Sequence, residues 1–507
     1  MMTRMRSFFI VIATLLFLPL MSGCEDFLNV NNNPNAPGST NLGLRHKFPA
    51  ALLSTAIQES DQMNIIGGFW GGYWGTNSDG SNQYYDLKTY NGPSIRNQRD
   101  GIPVWEESFN NLLYYELIKS EADEKNDLFY SGAAKIMQGW HFLRLVDFYN
   151  NIPFDDALQG TSNPTPSYED GEQVYRKSID LISLGIEEVK TSANLSGGRE
   201  DDILFEGNRV MWARFGNTIK LRALIRQSET GNDSYIQTEI DKIMAEGSGF
   251  LSEGETVTVN PGYSSSQPNN FYTKFYRDQG GSTTSVHHYI RPTEFLIEQY
   301  QTRNDPRIRQ LYIAIDGEFN GVIFGNENTS DPRYHPENTS AFLGPEENGH
   351  RPAGIFKSPE QPNILFSSFE SLFLQAEAAE RGWISESADR LYKSAILESF
   401  RQTEIDESLL DEYLNQESVI YQTAPDKIER IIGQKWLALN SISNIEAWND
   451  YRRLGWPEFP NSAASGIGQN ERPLRFMYPE SERSTNNENA SKQGNDEMTV
   501  SPVWWDQ

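Results

Sequence analysis

The stretch GGFWGGYWGTNSDGSNQYYD, from Gly67 to Asp86, sets large aromatic side chains among glycines, amides and carboxylates. A sugar presents an apolar face of C–H groups and an edge of hydroxyls. A site for one therefore needs flat aromatic platforms beside side chains that pair with hydroxyls. Trp70, Tyr73 and Trp74 supply platforms, while Asn77, Asp79, Asn82 and Gln83 supply pairing groups. Glycine disfavours regular structure and lets backbone approach a ligand closely. If the segment starts helical, Trp70 and Trp74 share a face at i,i+4 and either stack on neighbouring sugar units or pack together into the core. Tyr84 and Tyr85 are consecutive, so on an extended segment they face opposite ways and at most one meets a ligand; Tyr84 is the candidate.

A second candidate lies in the loop from Tyr263 to Tyr289, where Phe271, Tyr272, Phe275 and Tyr276 either close over a ligand from the other side or anchor the loop. Tyr272 and Tyr276 are its expected ligand contacts, with Asn269 and Asn270 as further amides. The six histidines (His46, His141, His287, His288, His335, His350) form no H-E-x-x-H or comparable ligand spacing. No nucleophile elbow or phosphate loop is present. Carboxylates are abundant enough for a glycosidase pair, but nothing singles one out. No cofactor is expected. An acidic exported chain leaves room for structural calcium, although no EF-hand spacing occurs.

The elements that must carry these residues begin with an export signal. Arg4 and Arg6 precede an apolar run from Phe8 to Leu20 that is too short to span a bilayer comfortably, and small residues follow. Met21-Ser22-Gly23-Cys24 resembles a bacterial lipoprotein box, with Met where Leu is commonest. Cys24 is the chain's one cysteine, so lipid attachment there leaves a protein without disulfides. The alternative is an ordinary secretory signal with an accidental cysteine. The organisation expected is a signal peptide over residues 1–23 and one large domain over 24–507, with the Asn/Pro/Gly run after Glu25-Asp26 as a tether. The formal charge is −27, and loss of the two signal arginines makes it −29. Such a balance argues against nucleic acid and anionic lipid headgroups as partners.

Helical periodicity dominates the rest. Helices are expected from Val104, over SGAAKIMQGWHFLRLVDFY up to Asn150, from Ser167, and over NRVMWARFGNTIKLRALIRQS. Later ones are SSFESLFLQAEAAERG, ISESADRLYKSAILESF, DKIERIIGQKWLALN and NIEAWNDYRRLG. Their pairing resembles tetratricopeptide repeats without a strict period. The Gly/Pro/Asn/Ser-rich region from Ser248 to Ser367 is a long loop system of the kind that carries function.

The ordered set AAKIMQGWHFLRLVDFYNNIPFDDAL, TPSYEDGEQVYRKSID, GNRVMWARFGNTIKLRALIRQS, NDPRIRQLY, FESLFLQAEAAERGW, IIGQKWLALNSISNIEAWNDYRRLGWP and RFMYPESERSTNNEN, with the terminal WW, resembles the SusD/RagB-type outer-membrane nutrient-binding lipoproteins over essentially the whole mature chain. The resemblance implies a mainly α fold: a tetratricopeptide-like helix-pair scaffold with long ligand-binding loops. It also implies a cell-surface, lipid-anchored protein of the outer membrane that is not an enzyme. Such a protein captures oligo- or polysaccharide, here expected to be neutral and glucan-like, for a SusC-type TonB-dependent transporter. A peptide-binding member of the same scaffold and an exported glycoside hydrolase are the alternatives. Motif residues such as Trp212, Asn217, Lys220, Arg222, Trp436, Trp448, Arg452 and Arg453 read as structural, with Glu446 or Asp450 within reach of the arginines.

Overall fold

The structure is a computed structural model that describes residues 42–98, 101–193, 199–468 and 471–506. The signal segment, Cys24 and the tether lie outside the described residues. The chain divides into a short unit, residues 1–47, and a large one, Phe48–Gln507.

Helix α1 (Leu44–Gln58) runs into a π-helical turn, Glu59–Met63, and then α2 (Asn64–Trp70). Strand β1 (Trp74–Thr76) and the one-turn α3 (Tyr85–Lys88) follow. The scaffold comprises α4 (Val104–Lys125), α5 (Leu128–Tyr149), α6 (Gly171–Thr191), α7 (Arg209–Arg226) and α8 (Asp233–Glu246). The loop region holds β2 (Val257–Val259), α9 (Asn270–Phe275), α10 (Ser285–Tyr289), β3 (Ile290–Pro292) and β4 (Asn363–Phe366), among shorter turns. It ends in α11 (Ser368–Glu380), α12 (Ala388–Gln402), α13 (Lys427–Leu439) and α14 (Asn444–Leu454).

The expected helices form, with starts set by side-chain caps: Asn208, Ser367, Ser387 and Asp426 each accept a backbone N–H of the first turn. Helix α6 starts later than Ser167. Asp170 accepts from the amides of Glu172 and Gln173 and is its true cap. Consecutive helices pack as pairs, α4 on α5, α5 on α6 and α11 on α12, as a tetratricopeptide-like scaffold requires. The sheets are only two-stranded: β1 pairs antiparallel with β3, Gly75 opposite Arg291, and β2 pairs with β4, Thr258 opposite Ile364.

The motif residues are structural. Glu446 on α14 is fully buried and accepts from Arg144 on α5 (2.8 Å) and Arg226 on α7 (2.7 Å). The three guanidiniums around it, Arg226 first and then Arg222 and Arg144, outweigh burial and hold its carboxyl well below the usual range. Arg222 pairs with Glu370 at 3.2 Å, and Arg453 with Glu377 at 2.6 Å and Asp450 at 3.0 Å. Arg452 departs from the expected pairing. Its guanidinium lies over the Trp448 ring (3.5 Å) and the Trp505 ring (4.6 Å) and donates to the carbonyls of Asp147 and Leu474. Each of these interior cations thus has a partner, which is the condition for burying it.

Candidate ligand-binding site

The first half of the aromatic–glycine stretch is scaffold, and here the expectation fails. Trp70, Tyr73 and Trp74 are 2%, 0% and 0% exposed, so none has a face left for a sugar ring. Trp70 donates its indole N–H to the Leu87 carbonyl and packs on Trp448 and Phe476. Tyr73 stacks on Trp436 at 4.8 Å and donates to that residue's carbonyl. Trp74 sits in β1 among Phe69, Phe275 and Phe342. The glycines serve this packing and not a ligand. A Cβ on Gly68 would lie 2.2 Å from the Trp74 ring, and one on Gly67 2.1 Å from the Ile445 amide nitrogen, where α2 meets α14.

Three more candidates are interior. Asn77 is buried, accepts from the Gly80 amide and donates to the His288 carbonyl, so it holds a turn. Tyr276 is fully buried against Phe356, donates to Glu347 (2.7 Å) and accepts from the Glu346 amide; burial first among causes pushes its phenol up to about 12. Tyr272, 8% exposed, packs edge-on to Tyr276 and Phe356. The loop's aromatics are therefore its anchor. Asp79 and Asn82 are exposed, and Asp79 meets His288 at 3.1 Å.

The second half of the stretch opens a cleft of about 510 Å³. Tyr84 and Tyr85 form one wall, Asp61, Gln62, Ile65 and Ile66 from the π-turn and α2 another, and Gly101–Pro103 a third. Lys274 from α9 completes it and is ion-paired to Asp61. Both regions singled out in the sequence border it, the first through the candidate Tyr84 and its neighbour Tyr85, the second through Lys274 rather than Tyr272 or Tyr276. The two tyrosines do not alternate as on a strand. Tyr84 takes φ +54°, a left-handed conformation costly for an aromatic residue, and then caps α3, so that both rings line the same cleft. Tyr84 rests on Phe69 at 4.8 Å, and burial together with the Asp61 carboxylate raises its phenol above the ordinary tyrosine range. Tyr85 is 51% exposed, an open platform. Asp86 accepts from the Ser94 amide at 2.8 Å and fixes the rim.

Tyr85, Gln62, Asp61 and Lys274 carried no signal in the sequence beyond their chemistry. The π-turn that aims Asp61 and Gln62 has no sequence signature, and such turns recur at functional sites. Among the described residues no group of three His, Cys, Asp or Glu side chains could hold a metal ion, and no helix is long and apolar enough to cross a membrane.

The fold has counterparts among known proteins. A SusD homologue from Bacteroides uniformis superimposes with a TM-score of 0.72 at 21% identity, covering 91% of this chain and 99% of that one. One from Bacteroides fragilis gives 0.75 at 20% identity, covering 92% and 100%. A chitin-binding SusD homologue from Flavobacterium johnsoniae gives 0.72 at 21%, covering 91% and 98%. No curated protein matches the chain. A family model described as "Starch-binding associating with outer membrane" matches residues 49–479, and the chain belongs to that SusD-like family.

Proposed function

We propose that this protein is a cell-surface lipoprotein that binds oligo- or polysaccharide in the tyrosine cleft and delivers it to a SusC-type TonB-dependent transporter. The observation that carries the reading is the cleft itself: an open tyrosine face at Tyr85 beside Gln62, Asp61 and Lys274, on the scaffold of a family described as starch-binding. Tyrosine offers contact area for C–H faces at low conformational cost, while the amide and carboxylate pair with hydroxyls. A neutral glycan fits best. The chain is strongly acidic, and the cleft's one cation is already paired with Asp61. The chitin-binding relative supports a neutral polymer as ligand class. The protein's role is binding rather than catalysis, and its tie to the outer membrane is the lipid on Cys24.

An affinity panel of starch, chitin oligosaccharides, anionic polysaccharides and peptides against the mature protein tests this. Binding confined to the neutral glycans is expected. Binding to peptides or polyanions alone, or turnover of any oligosaccharide, would overturn it. Cys24→Ser should release the protein from membranes without altering its melting curve, and continued membrane fractionation in the absence of the transporter would refute the anchor.

A further inference from the structure

The π-turn has a second side. Ser60 and Asn64 face away from the tyrosine cleft into a separate pocket of about 140 Å³. Its floor is Phe271 and Ile355. Its walls are the β2–β4 pair, through Thr258, Asn363 and Ile364, and the end of α12 at Gln402. A cavity of about 150 Å³ accepts benzene, so this one takes the ring atoms of a single sugar, whose hydroxyls and substituents extend out through the mouth.

Three features mark the pocket as built. Its deep polar groups are pre-organised. Asn64 donates to the Ser60 and Ser441 carbonyls, Asn363 donates to Asn270 (2.7 Å) and Tyr263 (2.8 Å), and Asn270 donates to Ser60 (3.2 Å). Its mouth, by contrast, holds two partly exposed polar side chains, the Thr258 hydroxyl and the Gln402 amide, which make no hydrogen bond among the described residues. Its only charged lining residue, Lys357, is paired with Glu404 at 2.5 Å, so the pocket is close to neutral. An apolar floor with a ring of amides and hydroxyls is chemistry for a neutral polyhydroxylated ring.

We propose that this pocket is a second glycan contact, taking one neutral sugar ring with Phe271 and Ile355 against its C–H face and Thr258 and Gln402 on its hydroxyls. The choice of a sugar over another small neutral polar ring rests on the proposed function; the pocket does not. Helix α9 ties the two sites together. Asn270 grips Ser60 on the pocket side and Lys274 grips Asp61 on the cleft side, so one π-turn is the wall of both.

The test titrates the mature chain with glucose and with N-acetylglucosamine, in the wild type, in Tyr85→Ala and in Thr258→Val/Gln402→Leu. Single-sugar binding should survive Tyr85→Ala and weaken about tenfold in the double variant, the effect of removing two neutral hydrogen bonds. If the double variant does not fold, Gln402→Ala alone, at a partly exposed helix end, should weaken binding about threefold. Single-sugar binding that is lost in Tyr85→Ala but unchanged at Thr258 and Gln402 overturns the pocket and leaves the tyrosine cleft standing. Polysaccharide binding without any single-sugar binding at millimolar concentration also overturns the pocket alone. Loss of all glycan binding in the wild type overturns both readings.

Discussion

Residues 67–76 and 81–86 are neighbours in one aromatic, glycine- and amide-rich stretch, yet every residue of the first segment is buried and none of the second is. In the first, Gly67 and Gly68 remove side chains so that α2 can press on α14 and the Trp74 ring can lie against α2. In the second, a left-handed Tyr84 turns the chain and leaves Tyr85 in solvent at the cleft. The difference teaches that glycine beside tryptophan reads equally well as ligand access and as close packing. The neighbouring elements decide which, because only they supply the atoms the glycine makes room for.

The largest test of this contrast is Trp74→Ala. Truncating a fully buried tryptophan should cost about 3–5 kcal/mol of stability, read as a lower denaturant midpoint, while the folded fraction keeps its glycan affinity. A stable variant with lost affinity would reverse the assignment of the two halves.

The packing around Trp74 should also carry an acid sensitivity, through His287, which meets the same Phe342 ring as Trp74. His287, edge-on to Tyr276 and bonded through Nε2 to the Phe342 carbonyl at 3.2 Å, is pulled down to about 4, chiefly by burial, then against the Phe342 bond by nearby Arg291. Its folded-state pKa lies below the unfolded value of about 6.5, so the unfolded chain takes up the proton first. Stability is full above about pH 6.5 and falls as the pH drops toward 4. At pH 5 the loss is about 2 kcal/mol, one and a half pH units at ~1.4 kcal/mol each. In His287→Gln, the change in unfolding free energy between pH 7 and pH 5 should shrink by that amount. An unchanged difference would mean that His287 protonates in the folded protein.

For the open half, Tyr85→Ala should lower glycan affinity about tenfold, or ~1.4 kcal/mol, and shift stability by less than about 0.5 kcal/mol. Calorimetric titration and a melting curve on one sample check both. Intact affinity would move the ligand away from the tyrosine cleft. The smallest effect is expected at Asn82, exposed but outside the cleft: Asn82→Ala should change affinity less than twofold. A large loss there would extend the site beyond its present rim.

The same contrast shows how far the site was legible. The stretch and the loop from Tyr263 to Tyr289 stand out in the sequence because aromatics on glycine- and amide-rich backbone are unusual in a core, and both border the proposed cleft. Within them, however, Trp70, Tyr73, Trp74, Asn77, Tyr272 and Tyr276 turn inward, while Tyr84, Tyr85 and Lys274 meet Asp61, from outside both regions, at the cleft. Asp61 and Lys274 are 213 residues apart and join only when α9 docks on the π-turn.

The sequence by itself determined the mainly helical scaffold. Periodicity and caps such as Asn208, Ser367 and Ser387 act over a few residues, and that information is local. It also determined the acidic balance, which is a matter of composition. Only the tertiary structure decided which aromatic faces stayed open. An exposed and a buried tyrosine have the same covalent chemistry. What separates Tyr85 from Tyr276 is whether distant elements, here Phe356 and the Glu346–Glu347 turn, arrive to exclude water from the ring.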